Sequence, residues 1–255
     1  MLGRETAIQP VRWGEDGWLR TLDGSGAPDP APVAPALPAA PWPERVWDGR
    51  FDRPDLPEEL QWLRTPDPAA LFSLTERPGW LRLYGRETVG SHFRQALVAR
   101  RQEHFHCVAT TRLAFAPATF QQAAGLICYY NASKFFYLNV TVEDGVRQLQ
   151  MLSANPEAGC EASVIVPVLP DGVIDLRATI AADVLTFAWR IAGAEAWESV
   201  ATAYDASILS DEVTAPGLPN FTGTFIGMAC QDLSGTGLAA DFAWFRYEGA
   251  DVAAV

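Results

Sequence analysis

The run His104-Phe-His-Cys-Val-Ala-Thr-Thr-Arg-Leu-Ala-Phe115 decides the fold, because its residues change character at every step and not at every third or fourth. Phe105, Cys107, Ala109, Thr111, Leu113 and Phe115 fall on one side of an extended chain; His104, His106, Thr110 and Arg112 fall on the other. Successive side chains of a strand point to opposite faces, so the first set is expected to meet a core. The same period runs through residues 80–84, 124–130, 135–143, 148–152, 173–181, 185–191 and 225–230. Asp144-Gly145, Asp171-Gly172, Ala182-Asp183 and Ala192-Gly193 separate these runs, at residue types that reverse the chain readily. Strands without an amphipathic helix close only as two packed antiparallel sheets or a barrel. The reading is therefore all-β, a jelly-roll sandwich of two antiparallel sheets. The segment around Phe51 is expected to pair beside residues 242–247, bringing the ends together.

Outward toward the N-terminus lies a hinge, APDPAPVAPALPAAPWP at residues 27–43. The stub before it is too short to fold alone. Its Val11-Arg-Trp-Gly-Glu-Asp-Gly-Trp18 block reads as strand, Glu-Asp-Gly turn and strand, like the torn edge of another domain. The expected organisation is a remnant at 1–22, a Pro/Ala-rich linker at 23–45, the sandwich at 46–249 and a tail at 250–255.

Of the 255 residues, 49% are apolar, and nine Trp supply ample core. A net charge of −12 repels phosphate backbones and anionic membrane surfaces, so neither nucleic acid nor membrane is an expected partner. Cys107, Cys128, Cys160 and Cys230 are widely spaced, without metal-ligand spacing, and read as buried free thiols. With no signal peptide at the start, they point to a cytoplasmic, reducing setting.

Acid–base chemistry on sugars needs two carboxyl groups facing across a cleft. Glu76, Glu87, Glu103, Asp232 and Asp241 stand singly among arginines or turn residues, where ion pairing or loop capping explains them. His104 and His106 share a strand side but have no third ligand nearby in sequence. Asp52 and Asp241 each lie beside a terminal strand and are the candidates for one structural calcium; no other cofactor is implied. Trp62, Trp80, Tyr129, Tyr130, Trp197 and Trp244 are candidates for a sugar-stacking platform, with most expected in the core. The sole lysine, Lys134, reads as a mark of composition and not of chemistry.

Several ordered strings carry a resemblance: SLTERPGWLRLYGRE at 73–87, QALVARRQ at 95–102, FQQAAG at 120–125, CYYN at 128–131, DASILSDE at 205–212, FTGTFIGM at 221–228 and QDLSG at 231–235. Together they resemble the C-terminal concanavalin A-like domain of glycoside hydrolase family 43 β-xylosidases, across nearly all of residues 46–249. LGRETAIQ at 2–9 and the block at 13–18 look like the last strands of that family's five-bladed propeller. The resemblance implies that the catalytic acid and base belong to earlier propeller blades, so this chain alone is expected to be inactive. It implies that Arg4 serves the xylose-binding subsite and that Phe221 walls the same pocket, with the choice between Phe221 and Phe225 open. The expected partners are xylo-oligosaccharides or arabinoxylan-derived sugars, a propeller catalytic domain and further copies of the chain. The alternatives are a free-standing carbohydrate-binding module and an oligomerisation domain.

Overall fold

The computed structural model describes residues 2, 8–29, 31–38, 40, 46–63, 65–213 and 220–250. The chain divides into two compact units, one of Arg4–Glu44 and one containing Arg45–Val255. In the small unit β1 (Val11–Trp13) pairs antiparallel with β2 (Leu19–Thr21). The turn between them forms where the Glu-Asp-Gly signal was read: Gly17 takes φ +79°, and the Asp16 carboxylate accepts a hydrogen bond from the Trp18 amide at 3.2 Å.

The large unit opens with four short strands, β3 (Trp47–Arg50), β4 (Gln61–Trp62), β5 (Phe72–Ser73) and β6 (Leu81–Tyr84). Its long strands are β7 (Ala96–Arg101), β8 (His106–Ala114), β9 (Gln122–Asn131), β10 (Lys134–Glu143), β11 (Val146–Asn155), β12 (Gly159–Val166), β13 (Ile174–Ala181) and β14 (Val184–Ile191). After the short β15 (Glu198–Ser199) and β16 (Tyr204–Asp205), β17 (Phe225–Asp232) and β18 (Ala239–Ala250) complete it. One sheet has the order β12-β11-β10-β9-β17-β7-β4. The other runs β15-β14-β13-β8-β18-β6-β5, with β16 also on β14 and β3 also on β18. All strand pairings described are antiparallel, and among the described residues there is no α-helix. Trp47 faces Tyr247 and Arg50 faces Trp244, the expected meeting of first and last strands.

The main core lies between the sheets. Leu113, Leu176, Phe242 and Phe245 from one sheet meet Leu126, Leu138 and Met228 from the other. On β9 the intervening residues, Ile127 and Tyr129, join a second buried cluster with Leu97, Phe135 and Tyr137. The seven-stranded sheet is therefore covered on both faces in its middle. That is why the β9 sequence QAAGLICYYN is apolar almost throughout. At the β10–β11 hairpin Asp144 and Gly145 both have positive φ, +49° and +76°, the two-residue turn whose twist suits paired strands.

Two expectations are corrected. Phe105 is 51% exposed, because β8 begins one residue later and the alternation was extended past the strand end. Cys160 is exposed: it lies on β12, the edge strand of its sheet, whereas Cys107, Cys128 and Cys230 are buried free thiols.

Candidate functional site

One end of the sandwich gathers the close of β9, the opening of β10 and β17, and the connection from β16 to β17. Its central side chain is Lys134. A register shift falls between Lys134 and Phe135, so β10 starts on an irregularity that re-aims its first side chain. Lys134 is fully buried. Its ammonium donates to the Ser210 carbonyl at 2.5 Å and to the Val213 carbonyl at 2.6 Å, and lies 3.6 Å from the centre of the Tyr130 ring. The Tyr130 hydroxyl in turn donates to the Asp211 carboxylate.

The far foot of the same connection is held as firmly. Thr222 Oγ1 donates to the Tyr130 carbonyl at 3.4 Å, Thr224 Oγ1 donates to the Leu209 carbonyl at 2.7 Å, and the Gln102 amide donates to the Thr224 carbonyl at 2.9 Å. Arg101 adds a guanidinium N–H to the Thr222 carbonyl. Before these feet, Asp205 caps the 3₁₀ turn Ala206–Leu209 by accepting from the Ser207 amide at 2.8 Å.

Directly before Thr222 in the chain is Phe221, 63% exposed. Phe225 differs: it is half-buried against the second cluster, with the Arg101 guanidinium 4.7 Å from its ring centre. Beside them Trp62, Leu63, Tyr129, Thr222 and Phe225 line an apolar cleft, in which Trp62 keeps 38% exposure and anchors its indole N–H to the Thr65 carbonyl at 3.0 Å. Burial lowers the Lys134 pKa to about 8, while the carboxylates of Asp211 and Glu212 pull it back upward. Burial, and then the bond to Asp211, raise Tyr130 to about 12.

The other sequence candidates lie elsewhere. Arg4 falls outside the described residues. Asp241 is gripped by two guanidinium groups, with Arg82 reaching both its oxygens at 2.8 and 3.0 Å and Arg77 adding a bond at 2.8 Å. Cationic donors on both oxygens are the opposite of what a calcium shell needs. Asp52 is exposed, and among the described residues no cluster of three His, Cys, Asp or Glu is placed to hold a metal. Nor do the aromatics form one platform. Trp62 and Tyr129 belong to the cleft. On the other sheet Trp197 covers Arg177 and Arg190, and Trp244 lies by Arg112. His104 bonds through Nδ1 to the Tyr247 hydroxyl at 3.2 Å.

The single acidic residues read as ion-pair partners or loop caps take those roles. Glu76 pairs with Arg82, Glu103 with Arg100, and Glu87 caps Ser91 and Arg94. The residue that sequence reasoning passed over is Lys134. The signal for it was a cation opening the otherwise apolar run Phe135-Phe-Tyr-Leu138, where a charge must be buried or the strand must start late.

Residues 49–248 match the family described as Beta xylosidase C-terminal Concanavalin A-like domain. The chain is 40% identical to the Xylosidase/arabinosidase 43B of Humicola insolens and 36% identical to the Beta-xylosidase of Bacillus subtilis. Each alignment covers 97% of this chain and 46% of the relative, so the chain spans about half the length of these relatives. The crystal structure of xylan beta-1,4-xylosidase from Bacillus halodurans C-125 superposes with TM-score 0.86 at 40% identity, over 96% of this chain and 47% of that one.

Proposed function

This chain belongs to the family of β-xylosidase C-terminal concanavalin A-like domains, and from that premise we propose that its sandwich caps the sugar pocket of a propeller-borne glycosidase active site. Phe221 walls the subsite, Arg4 contributes donors to it, and the proton-transferring carboxylates are supplied by the propeller. The observation that carries this reading is the family match over residues 49–248; the 63% exposure of Phe221, next to the hydrogen-bonded Thr222, is consistent with it. An aromatic wall excludes water and stacks on a pyranose face, and a capped pocket favours xylo-oligosaccharides and arabinoxylan-derived fragments over polymer.

The test is Phe221→Ala in the chain extended by a propeller. The expected result is a KM for xylobiose raised about tenfold or more, the size of a lost apolar pocket contact, with kcat changed less. Unchanged kinetics would overturn the capping role. The 255-residue chain alone is expected to leave aryl xylosides intact, and robust turnover by it would place the acid and base within these residues.

The cleft of Trp62, Tyr129 and Phe225 favours a second reading, sugar binding by the sandwich itself. Titration of the isolated chain with xylo-oligosaccharides decides it: saturation that disappears in Trp62→Ala supports this reading, and no heat of binding excludes it.

A further inference from the structure

We propose that the outer face of the sheet containing β8, β13 and β14 binds the carboxylate of an acidic sugar, with the Arg177 guanidinium, laid on the Trp197 ring, as its anchor.

The strand register brings the charges together. Asp175 stands opposite Arg112 on β8 and Arg190 on β14, and two residues further along β13 Arg177 stands opposite Thr110 and Ala188. Alternation puts these side chains on the outer face, since Leu113, Leu176, Ala178 and Phe187 belong to the core between the sheets. The Asp175 carboxylate is fully used: Arg112 reaches its two oxygens at 2.7 and 3.1 Å, and Arg190 adds a bond at 2.9 Å. Arg190 also donates to the Glu195 carbonyl at 3.3 Å. Three guanidinium groups thus share one carboxylate, a local positive surplus on a chain whose net charge is −12.

Arg177 is the group left over. Among the described residues no carboxylate or carbonyl takes its N–H groups; burial, and then the like charge of Arg190, work against its own charge. What holds it is Trp197, whose ring centre lies 4.2 Å from the Arg177 guanidinium and 4.5 Å from that of Arg190. A glutamine would cover the strand without the repulsion, so the arrangement lacks an anion. Stacking orients a planar fork of donors, and a carboxylate meets such a fork with two parallel bonds. The half-buried Thr110, Thr179 and Thr186 share this face, and Ala188 and Ser199, both small, keep the floor beside Arg177 low. Hydroxyls around an unbonded fork suit a carboxylate borne on a sugar ring better than a bare anion.

Titration of the 255-residue chain, followed by ¹⁵N–¹H spectra at constant ionic strength, tests this with D-glucuronate, acetate, sulfate and D-xylose as probes. The Arg177 Nε–H and Trp197 indole N–H signals are expected to shift with glucuronate and to saturate below about 10 mM. Acetate is expected to bind about fivefold more weakly or worse, the size of the lost hydroxyl contacts, and xylose to leave both signals in place. Arg177→Gln is expected to raise the dissociation constant for glucuronate about tenfold or more, as loss of a charged bidentate contact does. Arg177→Lys keeps the charge without the fork and is expected to fall between the two.

Absence of a saturable shift at these two signals in the unaltered chain would overturn the proposal, whether or not the variants fold. So would unaltered affinity in a folded Arg177→Gln. An equal response to acetate or sulfate would reduce the face to a general cationic patch and overturn the assignment to acidic sugars. Both signals come from β13 and the segment after β14, so the outcome is read independently of whether Phe221 walls a pocket.

Discussion

Asp232, at the start of the β17–β18 connection, accepts five hydrogen bonds: from the amides of Ser234 and Leu238 at 2.9 and 2.8 Å, from the hydroxyls of Ser234 and Thr236 at 2.5 and 2.6 Å, and from Gln122 Nε2 at 3.3 Å. Burial works against its charge, yet the donors from Ser234, Thr236 and Leu238 outweigh burial and hold the carboxyl well below the usual range. Asp232→Asn keeps the shape but turns one acceptor into an N–H that faces other donors. Such a reversal at a charged, nearly buried acceptor is expected to cost about 2–3 kcal/mol, read from the urea midpoint. A loss below about 0.5 kcal/mol would mean that the turn is held by its glycines, Gly235 and Gly237, and not by the carboxylate. Asp241 and Asp175 show the other way to keep an acid in a sheet. Asp175 is fully buried yet bridges Arg112 and Arg190 from the two flanking strands, at 2.7 and 2.9 Å.

Strand β9 depends on how closely its backbone can approach β10. A methyl group on Gly125 would sit 2.0 Å from the Leu138 carbonyl oxygen and 2.7 Å from the Asn139 Cα, both backbone atoms that cannot step aside singly. The Tyr137 hydroxyl also crosses this stretch to donate to the Ala229 carbonyl at 2.9 Å. Gly125→Ala is therefore expected to force the two central strands apart at a cost of about 3 kcal/mol or more, seen as a lower thermal midpoint or loss of soluble protein. A change within about 0.5 kcal/mol would show that the pair can slide to accept it. Strands such as β8 and β13 were legible because one face is wet and one dry, so polarity alternates with direction. β12 was not: it forms an edge, most of its residues are exposed on both faces, and nothing apolar repeats along it. The exposed Cys160 follows from that, as does the misplacement of Phe105, since alternation carries no mark of where a strand ends. At the site, Phe221 was legible only through resemblance to a family. Lys134 was hidden because its partners, Ser210 and Val213, lie some 80 residues away in sequence and present only backbone carbonyls.

Stability against pH belongs to the whole molecule, and its alkaline limb sets one buried lysine against three buried thiols. Burial raises Cys107 to about 11, and raises Cys128 and Cys230 well above the ordinary thiol range. In the unfolded chain these thiols ionise from about pH 9 while the folded chain keeps its protons, so their contribution is whole below pH 9 and is lost as pH rises above it. Lys134 acts in the opposite sense. Its folded pKa near 8 lies below the unfolded 10.5, so the folded chain sheds that proton first, and this group adds stability between about 8 and 10.5. Tyr137 and Tyr247, both raised by burial, join the thiols above pH 10. Each group titrating in only one state changes the slope by about 1.4 kcal/mol per pH unit, so the thiols outweigh the lysine and stability is expected to fall steeply above pH 9. Removing one thiol isolates its share: Cys128→Ala is expected to make the fall between pH 9 and 11 shallower by about 1.4 kcal/mol per unit, in urea titrations at fixed pH. The comparison is of slopes, because the smaller side chain also lowers stability at every pH. An unchanged slope would mean that Cys128 already ionises in the fold, which its position between the two sheets, at the centre of the core, makes incompatible with an intact sandwich.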